Sequence, residues 1–246
     1  MSPLLNIRKL SLRAEPRLLV DSLDLTLDAG RVLGILGANG AGKSTLLATL
    51  AGLAEAAAGT VELDGVPVTR LVPRDRARHI ALLPQEDAGG YFGSVADFVA
   101  LGRFPHDEAA SDIASWLAAW ELAALAQRPL ASLSGGERQR ARLAQLAAQD
   151  ADIVLLDEPL THLDPAHQAA LLAWARAEAD RGRAVALTLH DPNWAACHCD
   201  RLLFLYGDGG WRLGTPAELL TPASLEALYG PGTAALWQRG TPTLAV

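Results

Sequence analysis

The sequence is poor in cysteine, lysine and aromatic residues, and it contains no long apolar run. Its 246 residues include two cysteines, Cys197 and Cys199, so no disulfide framework is expected and a reducing cytoplasm is the natural setting. Every apolar run falls short of the ~20 residues that a helix needs to cross a bilayer. The first residues also lack the basic and apolar segments of a secretory signal. The net charge of −7 disfavours a general nucleic-acid binder, so we expect no nucleic-acid partner.

What the sequence does contain is a glycine-rich loop between a buried strand and a helix. Residues 37–44 read GANGAGKS, which fits the pattern G-x-x-x-x-G-K-[ST]. Glycines let successive N–H groups converge on an anion, Lys43 can reach the β- and γ-phosphates, and Ser44 can ligate Mg²⁺. We interpret the loop as a nucleoside triphosphate site, the alternative being an ordinary glycine-rich turn. The residues expected to bind the nucleotide here are Gly37, Ala38, Asn39, Gly40, Ala41, Gly42, Lys43, Ser44 and Thr45.

A second apolar strand ends in two carboxylates. Residues 153–156 are aliphatic, and Asp157 and Glu158 follow them directly. Downstream of a phosphate loop, this pattern predicts that Asp157 ligates Mg²⁺ opposite Ser44 and that Glu158 polarises an attacking water. A strand end that is merely capped by acidic residues is the alternative.

A third motif begins a long helix. Residues 133–139 read LSGGERQ, so Ser134 can cap the helix, while Gly135 and Gly136 open its first turn. Such a helix N-terminus is a second anion-binding element, and a simple capped turn is the plain alternative. Lying between a phosphate loop and an Asp-Glu strand, the run Ser-Gly-Gly-Glu-Arg-Gln-Arg resembles the signature sequence of the ATP-binding cassette (ABC) family. The resemblance extends from about Asn6 to Gly230.

The resemblance implies further site residues at matching positions. Gln85, at a strand end before the helical stretch, is similar to the family's glutamine that contacts Mg²⁺ and water. Asp164 resembles the aspartate that crosses the dimer interface, and His190 resembles the switch histidine that contacts the γ-phosphate. Together with Glu158, the residues Gln85 and His190 are therefore the expected catalytic residues, and ATP with Mg²⁺ is the implied cofactor.

The family also implies an assembly. Two such chains would pair head to tail as a homodimer that sandwiches two ATP molecules. Each nucleotide would lie between the phosphate loop of one chain and residues 134–136 of the other. The further partners would be integral membrane permease subunits and, indirectly, an extracytoplasmic substrate-binding protein. The expected location is therefore the cytoplasmic face of the inner (plasma) membrane.

Two further segments narrow the resemblance to one group of importers within the family. Residues 101–106 and 220–230 look similar to those of importers for iron-siderophores, haem and cobalamin (vitamin B12). The implied function is therefore ATP hydrolysis that powers such an importer. Tyr91 and Phe92 would line the groove for a permease helix, or else cover the core of a helical subdomain. The alternatives are an ATPase of another ABC importer or exporter, and a soluble ABC ATPase that acts on ribosomes or DNA.

The hydrophobic periodicity predicts an α/β fold. We expect a P-loop NTPase core with a mainly parallel sheet, an N-terminal antiparallel β layer, and a helical subdomain inserted at about residues 94–149. Residues 1–230 would form a single nucleotide-binding domain, and residues 231–246 would form a C-terminal tail. In the helical subdomain, Leu101 is predicted to extend the apolar stripe begun by Val95 and Phe98.

Three further segments carry local predictions: the residues around Arg13 and Arg17, the run 197–199, and the arginines between residues 70 and 78. No aromatic residue lies near Arg13 and Arg17, where the family stacks one on adenine, so one of these guanidiniums is expected to stack on the base, or base recognition is loose. The run 197–199, Cys-His-Cys, is interpreted as a helix end packed on the sheet rather than as a metal site. The arginines between residues 70 and 78 are predicted to form a solvated face, with a partner contact as the alternative.

Overall fold

The computed structural model describes residues 3–85, 91–106 and 113–233. The strands are β1 (Pro3–Ala14), β2 (Arg17–Asp28), β3 (Arg31–Leu36), β4 (Ala58–Leu63), β5 (Val66–Pro67), β6 (Ile80–Leu83), β7 (Ile153–Leu156), β8 (Ala184–Thr188), β9 (Arg201–Leu205) and β10 (Trp211–Gly214). The α-helices are α1 (Lys43–Leu50), α2 (Pro73–His79), α3 (Val95–Ala100), α4 (Ile113–Ala119), α5 (Gly135–Ala148), α6 (Pro165–Asp180), α7 (Pro192–His198), α8 (Pro216–Leu219) and α9 (Pro222–Tyr229).

Six strands form the sheet that positions the site. Their order is β10-β9-β3-β8-β7-β6, and all the pairings except that of the edge strand β10 are parallel. Every residue of β7 and β8 is buried, as expected for parallel strands covered on both faces. The carboxyl ends of β3, β6, β7 and β8 meet at one edge, so the polar residues after them come together there. The predicted mainly parallel sheet is confirmed.

The predicted N-terminal antiparallel layer is also confirmed. Its strand order is β2-β1-β4-β5, and β1 and β2 each run for 12 residues, longer than alternation alone indicated. Its inner face packs with α1 and with one face of the parallel sheet to form one core, while the other helices cover the opposite face in a second core. The β1–β2 hairpin carries Arg17 to the phosphate loop, where its Nε donates to the carbonyl of Gly207 at 2.6 Å.

Residues 94–149, where they are described, are mainly helical, with two short α-helices of 6 and 7 residues before the 14-residue helix α5. The helices α3, α4 and α5 pack on one another, and a 3₁₀ helix spans Leu101–His106. The prediction that Leu101 extends the apolar stripe is wrong, because this side chain is 46% exposed. The α-helix ends at Ala100, and the tighter turn of the 3₁₀ helix then shifts the phase of the stripe.

The arginines before β6 hold this 3₁₀ helix in place. Arg74 donates to the carbonyl of Phe104 at 3.2 Å, and its guanidinium lies 5.6 Å from the centre of the Phe104 ring. Arg78 donates to the carbonyl of Pro105 at 2.7 Å, and Arg76 donates to the carbonyl of Val68 at 3.4 Å. The prediction of a purely solvated face is therefore wrong. Arg74 and Arg78 join the α/β core to the helical stretch.

The cysteine-containing run lies at the end of α7, as predicted. Cys197 is exposed, and Cys199 is buried against β3, where a Cβ on Gly34 would lie 2.8 Å from its Sγ. Within the described ranges, no group of three or more His, Cys, Asp or Glu side chains could hold a metal ion. Among those same residues, no helix is both long and apolar enough to span a bilayer.

Candidate nucleotide site

The phosphate loop joins β3 to α1 with a backbone that only glycine adopts easily. Gly40 and Gly42 have φ values of +75° and +101°. Gly37 is needed for a different reason, since a Cβ there would lie 2.5 Å from the carbonyl oxygen of Leu205 on β9. The Ala41 N–H donates to the Ala38 carbonyl at 3.1 Å and closes the turn. The loop is therefore packed against the sheet and wraps a concave space in front of α1.

Lys43 is buried at the base of this loop. Its Nζ donates to the carbonyls of Gly37 at 2.8 Å and Ala38 at 3.2 Å, and the residue is 6% exposed. Burial lowers the pKa of Lys43, while the carboxylates of Glu158 and Asp157 oppose that shift. The ammonium is thus already oriented by the loop's own carbonyls, with two acidic groups close enough to favour its charged form.

A cavity of about 460 Å³ opens in front of the loop. It brings together residues predicted from four separate motifs: the phosphate loop, the strand end at Gln85, the Asp-Glu pair and the hairpin at Arg17. Its lining residues are Ala14, Arg17, Leu19, Asn39, Gly40, Gly42, Lys43, Ser44, Thr45, Gln85 and Glu158. Of the two arginines considered for base stacking, Arg17 lines the cavity and Arg13 does not.

Asp157 and Glu158 are fixed by a residue that the sequence did not single out. The Thr188 hydroxyl, at the end of β8, donates to Oδ1 of Asp157 at 3.0 Å and accepts the Glu158 N–H at 2.5 Å. Thr188 is 1% exposed and Asp157 is 4% exposed. Glu158 has a φ of 46°, an uncommon value outside glycine that turns the chain sharply after β7. The one available signal was a hydroxyl at the end of an otherwise aliphatic strand.

His190 contacts Glu158 directly. Its Nε2 lies 3.0 Å from Oε1 of Glu158, and the two side chains are 50% and 17% exposed. The histidine follows β8 and the glutamate follows β7, so the parallel register of these neighbouring strands brings the two together. The imidazole therefore orients the Glu158 carboxylate at the cavity and also reaches the protein surface.

The residues of the third motif lie elsewhere on the chain. Ser134 caps α5 in a reciprocal pair with Glu137, with Ser134 N to Oε2 at 2.8 Å and Glu137 N to Oγ at 3.3 Å. Hydrogen bonds from the Ser134 backbone and hydroxyl hold the pKa of Glu137 below its usual value. Ser134, Gly135 and Gly136 are not among the residues that line the phosphate-loop cavity of the same chain.

The α5 N-terminus instead packs against the loop that contains Asp164. A Cβ on Gly136 would lie 3.0 Å from the carbonyl oxygen of His162. The side chain of Gln139, 5% exposed, donates to the Pro159 carbonyl at 2.9 Å. Asp164 caps α6 and accepts the His167 N–H at 2.9 Å. The predicted signature motif and the predicted interface aspartate therefore form one surface, separate from the cavity.

Residues 20–161 match the ABC transporter family. The hemin import ATP-binding protein HmuV of Pseudomonas entomophila is 42% identical over 236 residues, covering 92% of each chain. The protein of the same name from Nocardia farcinica is 42% identical over 221 residues, covering 87% of this chain and 76% of that protein.

Solved structures of ABC transporter chains are also similar to this chain. A structure described as an inward-facing metal-chelate type ABC transporter superposes with a TM-score of 0.78 at 30% identity, covering 93% of this chain and 89% of that one. An ATP binding subunit of an ABC transporter superposes with a TM-score of 0.80 at 23% identity, covering 88% of this chain and 91% of that one, and supports the fold alone. The chain therefore belongs to the ABC transporter family, as one of its ATP-binding, ATP-hydrolysing members.

Proposed function

We propose that this chain hydrolyses ATP to power a membrane importer of haem. The observation that supports ATP hydrolysis is the meeting of Lys43, Glu158 and Gln85 at one cavity, with His190 on the Glu158 carboxylate. The haem assignment is supported by relatives named as hemin import ATP-binding proteins, which share 42% of their residues with this chain over 92% of its length. An iron-siderophore or cobalamin importer is the nearest alternative cargo class.

In this proposal each residue has a defined role. The loop N–H groups and Lys43 bind the β- and γ-phosphates. Glu158 accepts a proton from the attacking water, and His190 fixes the direction of that carboxylate. The hydroxyl of Ser44, the amide of Gln85 and the carboxylate of Asp157 are hard oxygen donors that suit Mg²⁺. When bound, the metal would neutralise charge on the phosphates.

The placement of the third motif supports a head-to-tail homodimer. A chain that carries residues 134–136 away from its own cavity can complete a site only on a second copy. We propose that these residues bind the γ-phosphate held by the other chain, with Asp164 at the same interface. In this arrangement residues 1–230 act as one nucleotide-binding domain, into which the helical residues 94–149 are inserted. Residues 231–246 follow as a C-terminal tail. Of this tail, residues 234–246 lie outside the described part of the chain.

A permease would dock beside the arginine-held 3₁₀ helix. Phe104 and Phe92 are 74% and 92% exposed, whereas Tyr91 packs on Phe98 with ring centres 5.3 Å apart. Of the two alternatives for these residues, covering the core of the helical subdomain therefore applies to Tyr91, whereas Phe92 remains exposed to a partner. Large exposed aromatic side chains are candidates for an interaction surface. We propose that this surface holds the chain at the cytoplasmic face of the membrane and that a substrate-binding protein acts on the permease's other side.

Reconstitution with the permease tests the proposal. The chain is co-purified from native membranes with its permease, placed in proteoliposomes with the partner binding protein, and assayed for ATP hydrolysis and cargo uptake. We expect haem-loaded binding protein to stimulate both, and Phe104→Ala to reduce stimulation and uptake. Val66→Ala, which removes a 42% exposed side chain on the edge strand β5, is the matched control. Stimulation by a siderophore or cobalamin instead would replace haem as cargo. Recovery of ribosomes or DNA with no permease would contradict the transport role.

Arg17 should contribute to nucleotide affinity. Its side chain lines the cavity and is held by the carbonyl of Gly207, so the guanidinium is oriented before the base arrives. A stacked guanidinium contributes about 0.5–1 kcal/mol at an exposed site, so we expect Arg17→Ala to raise the Kd for ATP about 2- to 5-fold. Arg13→Ala is the control and should leave the Kd unchanged. A fluorescent ATP analogue, titrated into each variant, measures this, and equal losses in the two variants would assign the effect to net charge.

A further inference from the structure

Two neighbouring strands deliver Gln85 and Glu158 to the same cavity. Gln85 stands two residues beyond the end of β6, and Glu158 stands two residues beyond the end of β7. The two strands pair in parallel, and the Asp157 N–H donates to the carbonyl of Leu83 at 2.9 Å, so the strand ends remain joined at the edge of the sheet. The peptide groups that flank Gln85 and Glu158 therefore help to set where these two side chains lie.

Side chains of α5 bind both of these strand ends. Nε2 of Gln139 donates at 2.9 Å to the carbonyl of Pro159, directly after the proposed general base. The guanidinium of Arg142 donates to the carbonyl of Pro84, directly before Gln85. The two side chains also bind each other, since Arg142 donates to Oε1 of Gln139 at 3.2 Å. One hydrogen-bonded pair on one helix thus holds the ends of β6 and β7.

Burial makes the bonds of Gln139 matter energetically. The residue is 5% exposed, and each end of its amide has a partner, the Pro159 carbonyl for Nε2 and Arg142 for Oε1. A buried polar group that loses its partner costs more free energy than an exposed one, because water cannot replace the lost bond. The pair is therefore a firm connection between α5 and the strand ends.

The same helix begins with the residues proposed to complete the site of a second chain. Ser134 caps α5, and Gly135 and Gly136 form its first turn. Gln139 and Arg142 follow Ser134 by five and eight residues, so they lie within roughly 12 Å of it along the helix axis. A single helix of 14 residues therefore joins the surface that meets the other chain to the strand ends at this chain's own cavity.

We propose that Gln139 and Arg142 are positioning residues that couple the two nucleotide sites of the dimer. The inference rests on the proposed head-to-tail arrangement. When residues 134–136 bind the ATP held by the other chain, α5 is fixed, and the Gln139–Arg142 pair fixes the peptide groups beside Gln85 and Glu158. Each chain then hydrolyses its own ATP efficiently only while its α5 is docked on the other nucleotide, so the two sites act together.

ATP hydrolysis by the complex of this chain with its permease tests the coupling. The unaltered complex should give a Hill coefficient above 1 for ATP. Gln139→Leu removes both bonds at similar side-chain size, so it should lower kcat about 2- to 12-fold and bring the Hill coefficient to about 1. Arg142→Met should act in the same direction. The double variant should lose no more than the more severe single variant, because both changes break one link.

Gln149→Leu is the matched control. Gln149, at the C-terminal end of α5, donates to the carbonyls of Ala77 at 2.7 Å and Ile80 at 3.0 Å, at the other end of β6 from Gln85. It loses the same kind of bond between helix and core, so both leucine variants should lose similar thermal stability while the control keeps its Hill coefficient. A Hill coefficient of 1 in the unaltered complex, a value above 1 in Gln139→Leu, or an equal fall in the control would overturn the coupling.

Amide hydrogen exchange tests the link without any ATP hydrolysis. In the nucleotide-free chain, the peptide that covers residues 153–161 should exchange faster in Gln139→Leu, because the Pro159 carbonyl loses its anchor, and at the unaltered rate in Gln149→Leu. Unchanged exchange in Gln139→Leu would overturn the link whether or not the complex hydrolyses ATP. Faster exchange, together with no ATP hydrolysis by the unaltered complex, would support the link and overturn the proposed function.

Discussion

Glu158→Gln should reduce ATP hydrolysis by about 10²- to 10⁴-fold, the usual contribution of a general base, while ATP remains bound. The amide has the shape of the carboxylate but cannot take a proton from water. The hydrogen bonds that orient Lys43 are kept, since they go to the carbonyls of Gly37 and Ala38 and not to Glu158. Phosphate release under saturating ATP and equilibrium binding of a labelled nucleotide measure the two quantities separately.

A matched control accompanies this variant. Glu55→Gln makes the same chemical change at an exposed glutamate that does not line the phosphate-loop cavity, and it should keep the unaltered rate. The general-base role fails if Glu158→Gln hydrolyses ATP at a rate close to that of Glu55→Gln. Loss of binding as well as hydrolysis in Glu158→Gln would instead place Glu158 among the groups that hold the nucleotide.

Thr188→Val should cost about 5- to 150-fold in kcat, which corresponds to the roughly 1–3 kcal/mol lost when a buried polar group is left without a partner. Valine keeps the shape but removes a hydroxyl that donates to Asp157 and accepts the Glu158 N–H. The Asp157 carboxylate and the Glu158 backbone N–H then both lose their contact with this side chain. Steady-state hydrolysis gives kcat, and thermal unfolding of the same samples shows how much of the loss is structural.

Thr188→Ser distinguishes the hydroxyl from the methyl group at this position. Serine can make both hydrogen bonds, so it should recover most of the activity that valine loses. Similar activity in the serine and valine variants would show that packing in β8, rather than the hydroxyl, accounts for the effect. Full activity in Thr188→Val would show that Asp157 and Glu158 hold their geometry without this contact.

The parts of the fold that could be predicted are those specified by short, local sequence patterns. The strand before Gly37 and the strand before Asp157 are aliphatic runs bounded by polar residues, and such runs are typical of buried parallel strands. The start of helix α6 also follows a local pattern, because Asp164 caps it and Pro165 occupies its first position. The short edge strands β5 and β10 were missed, since two to four residues of mixed polarity carry no periodic signal.

The contacts that were missed join residues far apart in the chain. Arg74 and Arg78 were predicted to form a solvated face, but they donate to backbone carbonyls in residues 104–105. Every residue has a carbonyl, so no particular residue type marks such an acceptor in the sequence. Thr188 was overlooked for a related reason, because it acts on Asp157 and Glu158 without belonging to a motif. Arg17 could be named only as one of two candidates, and its place at the cavity depends on the long β1–β2 hairpin.

The two cysteines differ in a way that has a practical consequence. Burial raises the pKa of Cys199 to about 12, so its thiol stays protonated and unreactive at neutral pH. Cys197 is exposed on α7, the helix that starts just after His190. A maleimide dye added to the unaltered protein would therefore label one defined position, on the helix that follows His190. The natural chain thus supplies its own attachment point for an optical reporter of each turnover, with no cysteine to remove or introduce.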